Sequence, residues 1–149
     1  MPINWLEQET SVHQDHVIAH VIGATALGHF VLDETAYILL DIGFIWKLYL
    51  DCEMGLLPQS LAISELEAGA EVKEQLKAEI DRLHEAATDA HSLAYFAPAP
   101  AGCLISEVFI YAQGERRRVL IKGEEASLMV EASLATREIS IYTAEPDAV

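Results

Sequence analysis

Positive charge is scarce in this chain of 149 residues, and no lysine or arginine precedes Lys47. Nine Lys+Arg stand against 24 Asp+Glu, for a formal charge of −15. That deficit argues against nucleic acid as a partner, because Lys and Arg must displace counterions from phosphates. It also opposes docking on anionic membranes. Cysteine is nearly absent. Cys52 and Cys103 can form one bridge at most, and both sit at strand-like positions outside any Cys-x-x-Cys spacing. Both are expected as free thiols, buried or half-buried, in a reducing compartment.

Long apolar runs are missing too. The two longest stretches without a formal charge, His16–Leu32 and Ala90–Ser106, have 17 residues each. The first contains three histidines and two glycines, and the second two prolines, so neither reads as a membrane span. The segment Met1–Glu7 has no basic residue and reaches acid at once, the reverse of a signal peptide. A cytoplasmic protein is expected. Catalytic signatures are lacking as well. Gly23 and Gly28 have phosphate-loop spacing, but His29-Phe30 stands where Lys-Ser/Thr is required. No dinucleotide fingerprint, nucleophile elbow or His-Glu-x-x-His occurs. The sequence names no reaction and no cofactor.

What is present is apolar and periodic. The hydrophobic share is 52%, enough for one core at this length, so residues 1–149 are read as a single domain. Every even position from Ala36 to Cys52 is apolar, which is the mark of a strand with one buried face. An unbroken strand of that length would run ~56 Å, so a turn at Asp41-Ile42-Gly43 is expected to split it. Thr25–Leu32 reads as a further strand, turning at Asp33-Glu34. Strands are expected over residues 16–52.

Ser64-Glu65-Leu66-Glu67 has capping-box spacing, and a long helix is expected from there to Ser92. Its apolar stripe is Leu76, Ile80, Leu83, Ala87 and Ala90. Glu71, Glu74, Lys77, Glu79, Asp81, Arg82 and Glu85 are assigned to the wet face. From Cys103 to Thr143 the period returns to two, in a four-strand antiparallel meander. A loop at Gln113-Gly114 would set Tyr111 opposite Arg116 and Phe109 opposite Arg118 on one face, with Ile110, Val108, Val119 and Ile121 on the other. Leu128/Thr143, Val130/Ile141 and Ala132/Ile139 continue the core face. Ile3–Glu9 reads as a short helix with Trp5 and Leu6 packed inward. The expected class is α+β: an antiparallel sheet of six or seven strands packed on one long central helix.

Two clusters carry chemistry. His13, His16 and His20, spaced three and four, would line one side of a helix as ligands for zinc or another imidazole-binding metal. Val17, Ile18, Val21 and Ile22 favour a strand instead, on which only His16 and His20 share a face. Ordinary surface histidines are the simpler reading. A third ligand would come from Asp15 or His29. On the long helix, Asp81-x-x-His84 and His91 read as a solvated face.

The second cluster is the strand Arg116-Arg117-Arg118. With Phe109 and Tyr111 it makes a face of aromatic and cationic groups, the composition of interface centres and of anion sites. Phe109, Tyr111, Arg116 and Arg118 are therefore the expected ligand- or interface-binding residues.

A non-catalytic interaction module that forms a homodimer through its sheet is the leading expectation, because Tyr37, Ile45, Tyr49, Ile105, Phe109 and Tyr111 leave more apolar face than one helix covers. The alternatives are a small-ligand-binding protein, or a metal- or His-dependent small hydrolase or lyase near His16 and His20. An acidic adaptor for a basic protein partner is a third. The charge is also uneven. Residues 1–46 hold six acids and no base, whereas five of the nine bases follow position 115.

Overall fold

The computed structural model describes residues 6–9, 11–32, 34–41, 45–50, 54–57, 69–84, 95–99 and 103–144, with the backbone alone at 13, 50, 54–57, 84, 98 and 144. Its elements begin with β1 (Leu6–Glu7), α1 (Val12–Val21), β2 (Ala26–Leu32), β3 (Thr35–Leu40), β4 (Ile45–Leu50) and β5 (Met54–Leu57). They continue with α2 (Ala70–His84), β6 (Ala97–Pro98), β7 (Ile105–Gln113), β8 (Arg116–Gly123), β9 (Ser127–Ser133) and β10 (Ile139–Ala144). Sheet I has the order β1-β7-β8-β9-β10 and sheet II the order β5-β4-β3-β2-β6, with every pairing antiparallel. Among the described residues no helix is long and apolar enough to cross a membrane.

The period-two patterns produce strands. β3 and β4 pair antiparallel on either side of the expected break at residues 41–43. The even residues Ala36, Ile38, Leu40, Trp46 and Leu48 meet Val108, Ile110, Val119, Ile121, Leu128 and Val130 in one core. The meander's inner face is thus covered by another sheet. This corrects the expected class: among the described residues there is no long central helix packed on the sheet, but two antiparallel sheets face to face with two short helices. The reason is area. A 15-residue helix is ~22 Å long and ~10 Å wide. Five strands spaced ~4.8 Å apart present a face about twice that width, which a second apolar sheet covers more fully.

α2 lies on the outer face of sheet II. Leu76 and Leu83, with Val72 and Ile80, pack against Phe30, Tyr37, Leu39, Ile45 and Phe96. The odd-numbered residues Tyr37 and Ile45 are thereby covered within the chain, and they no longer argue for a second subunit. The proposed cap at Ser64, and Ala87 and Ala90, lie outside the described residues. Gly28 sets the helix-to-sheet distance, since a Cβ there would stand 2.8 Å from Leu83 Cδ1 and 3.1 Å from the Ala97 carbonyl oxygen. The β2–β3 register shifts between Ala26 and Gly28. That bulge exchanges the faces of β2: Ala26 joins the inter-sheet core, Phe30 joins the helix-facing cluster, and His29 becomes the cross-strand partner of inward-facing Ile38.

Residues 12–21 form a helix, α1, although strand was expected from residue 16 onward. Ser11 Oγ accepts from the Gln14 amide at 3.1 Å, and Gln14 Oε1 accepts from the Ser11 amide at 3.0 Å, a complete capping box. Val17 and Val21, four apart, enter the core beside Ile18. Capping and one-sided burial outweigh the modest helix cost of β-branched residues. Leu6 is another correction: it is 65% exposed, on a strand that pairs with β7, where a helix packing inward was expected.

Candidate functional site

The outer face of sheet I is built from Glu107, Phe109, Tyr111 and Gln113 of β7 and the even residues of β8, while a register shift between Ile105 and Glu107 turns Ile105, expected on the outer face, into the core. The hairpin turn falls on Gly114-Glu115, with Gly114 at φ +58 in the first central position, where a II′-type turn favours glycine. That moves the register by two residues from the expected one while keeping each side chain on its face. Tyr111 therefore pairs with Arg118 in place of Arg116, and Phe109 pairs with Leu120 in place of Arg118. The β9–β10 register matches expectation at Ala132/Ile139, Val130/Ile141 and Leu128/Thr143.

The observed register sorts this face into rows. Phe109, Leu120, Met129 and Tyr142 run straight across β7, β8, β9 and β10 as an apolar row. Glu7, Tyr111, Arg118, Glu131 and Ser140 make the adjacent polar row across all five strands. The Phe109 and Tyr111 rings lie 6.4 Å apart and link the two rows.

On the polar row Arg118 and Glu131 neutralise each other. Arg118 donates to Glu131 Oε1 from Nε at 2.9 Å and also from Nη2. Arg116 Nη2 stands 3.8 Å from the same oxygen. The Arg118 side chain is only 14% exposed, against 52% for Arg116, so Arg118 acts mainly as part of the sheet and Arg116 faces solvent. An open groove of about 400 Å³ runs past Arg116, Glu131 and Ser140. Tyr142 is 39% exposed at the rim, and its phenol is pushed up, first by burial and then by the Glu131 charge. Burial also raises the Tyr111 phenol, helped by Glu7 and Glu107. Both shifts make these phenols poorer nucleophiles.

Among the described residues β10 is the edge of sheet I. Its sequence, Ile139-Ser-Ile-Tyr-Thr-Ala144, carries no charge and no proline, and its pairing with β9 is unbroken by any bulge. Natural sheets ordinarily blunt such edges with those very devices. A six-residue uncharged run at the end of a meander, in so acidic a chain, was the available signal of this edge.

Comparison with protein-family models, curated proteins and solved structures finds no match to this chain. Functional inference therefore rests on the surfaces themselves.

The three candidate histidines fall on α1, in the spacing that aligns them along one side of a helix. His16 and His20 are exposed, and their ring centres lie 5.6 Å apart at 70°. His29 is elsewhere, buried on β2, where burial holds its imidazole below the ordinary value. Among the described residues no three His, Cys, Asp or Glu side chains gather as a metal cluster. Cys103 is a free, fully buried thiol pushed up to about 11 by burial, which makes it inert. Cys52 lies outside the described residues.

Proposed function

We propose that this chain is a non-catalytic interaction module of the cytoplasm that forms a homodimer through sheet I. The observation that carries this reading is the β10 edge, uncharged and free of bulges and unpaired on its outer side among the described residues, beside the Phe109–Leu120–Met129–Tyr142 row. An edge strand offers a row of free N–H and C=O groups as a template for another strand. Identical strands pair antiparallel about a two-fold axis, so the contact is self-complementary and closes at two subunits. Pairing β10 with β10 would join two five-stranded sheets into one of ten and carry the apolar row across the junction. Phe109, Tyr111 and Arg116 lie on the face that this junction extends.

Sedimentation of the chain across micromolar concentrations tests the reading. A dimer is expected for the wild type. Ser140→Lys and Tyr142→Lys, which place charge on the edge while leaving the inward residues Ile139 and Ile141 alone, are expected to yield folded monomers. A wild-type monomer throughout that range would overturn the proposal.

A further inference from the structure

We infer that α1 carries a surface chelate for one late first-row divalent cation, Zn²⁺ or Cu²⁺, held by His16 and His20. The inference does not depend on dimer formation. The Ser11–Gln14 capping box starts the helix, and Val17 and Val21 anchor it in the core. Each residue turns the helix by ~100°, so anchoring at 17 and 21 leaves the side bearing 16 and 20 to solvent. Both imidazoles are indeed exposed, one turn apart, with ring centres at 5.6 Å. A metal ~2.0–2.1 Å from each nitrogen sets the centres of two coordinating rings roughly 5 Å apart. Closing that difference takes rotation of exposed side chains and no movement of the backbone.

Asp15 and His29 are placed differently. Asp15 lies ~100° around the helix from His16, on the flank away from His20, and His29 is buried on β2. Water would fill the remaining coordination positions. His13 stands one turn before His16 on the same side of the helix backbone. Two imidazoles select for zinc, copper and nickel over magnesium and calcium, which prefer oxygen ligands. This selectivity separates the chelate from the diffuse attraction that a chain of −15 exerts on every cation.

Calorimetric titration of the full chain, without an added histidine tag, with Zn²⁺ and Cu²⁺ in excess Mg²⁺ tests the inference. One ion per chain is expected, with affinity lowered roughly tenfold or more in His16→Ala and in His20→Ala. The chelate exists only in the folded helix, so at equal metal concentration Tm should rise more in the wild type than in the variants. His16→Gln and His20→Gln keep helix propensity and repeat the comparison with side chains of similar length. Equal affinity in wild type and variants, or displacement of the ion by Mg²⁺, would show binding by carboxylates and overturn the assignment.

Discussion

His29 and Cys103 show how strongly position alters a residue's chemistry. Both side chains are buried and neutral, and burial moves each away from its charged form: the imidazole down and the thiol up. For His29 this makes stability depend on pH. The unfolded chain takes up a proton as pH falls below about 6.5, while the folded chain resists it until lower pH. Stability is therefore complete above that value and declines as pH falls through the depressed folded value. Urea midpoints measured from neutral to mildly acidic pH are expected to fall. His29→Leu, which has nothing to protonate at that site, should flatten the slope, and an unchanged slope would refute the role of His29. Arg118 makes a related point: its partner is Glu131 on the next strand, so the consecutive arginines do not form one cationic patch.

On the scale of elements, α2 shows what a wheel diagram misses. Glu79 was assigned to the wet face, yet it is fully buried. Its Oε1 accepts from the backbone amides of Tyr95 and Phe96 at 3.0 and 2.9 Å, and its Oε2 accepts from Gln75 at 3.0 Å. The carboxylate ties α2 to the segment leading into β6, where Phe96 packs on Phe30. Glu79→Ala would strand two backbone donors, at an expected cost of about 2–3 kcal/mol in chemical denaturation. Glu79→Gln keeps an acceptor oxygen and should cost less than half of that. Equal stability of wild type and Glu79→Ala would refute the tie.

For the whole molecule, the −15 charge works against association. Two copies of so acidic a chain repel, while the proposed junction is uncharged and gains nothing from Coulomb attraction. Raising salt from about 0.01 M to about 0.15 M shortens the Debye length from ~30 Å to ~8 Å. Dimer affinity is therefore expected to rise several-fold over that range, as read by sedimentation. A fall instead would place the attraction between the arginine strand and the acidic first third of the chain, and would count against the β10 edge.

The longer strands, most turns and the inward set of residues were legible in the sequence, because a period of two acts locally and burial follows it; the short β1, β5 and β6 were not. Ala36, Ile38, Leu40, Trp46 and Leu48 were read as one face and share one core. The aromatic and basic composition of the sheet I surface was legible for the same reason. What covers each face was not, since an apolar stripe does not say whether a helix or a sheet will meet it. That choice follows from area and from the close approach at Gly28. The hairpin register depended on which two residues made the turn, and the fate of Glu79 on two amides sixteen and seventeen residues away. α1 was decided by a four-residue cap against β-branched neighbours. The scarcity of positive charge narrowed the classes of partner from the outset. Only the tertiary structure revealed where that acidic chain keeps an uncharged edge, because strand order in a sheet is set by pairing between distant segments.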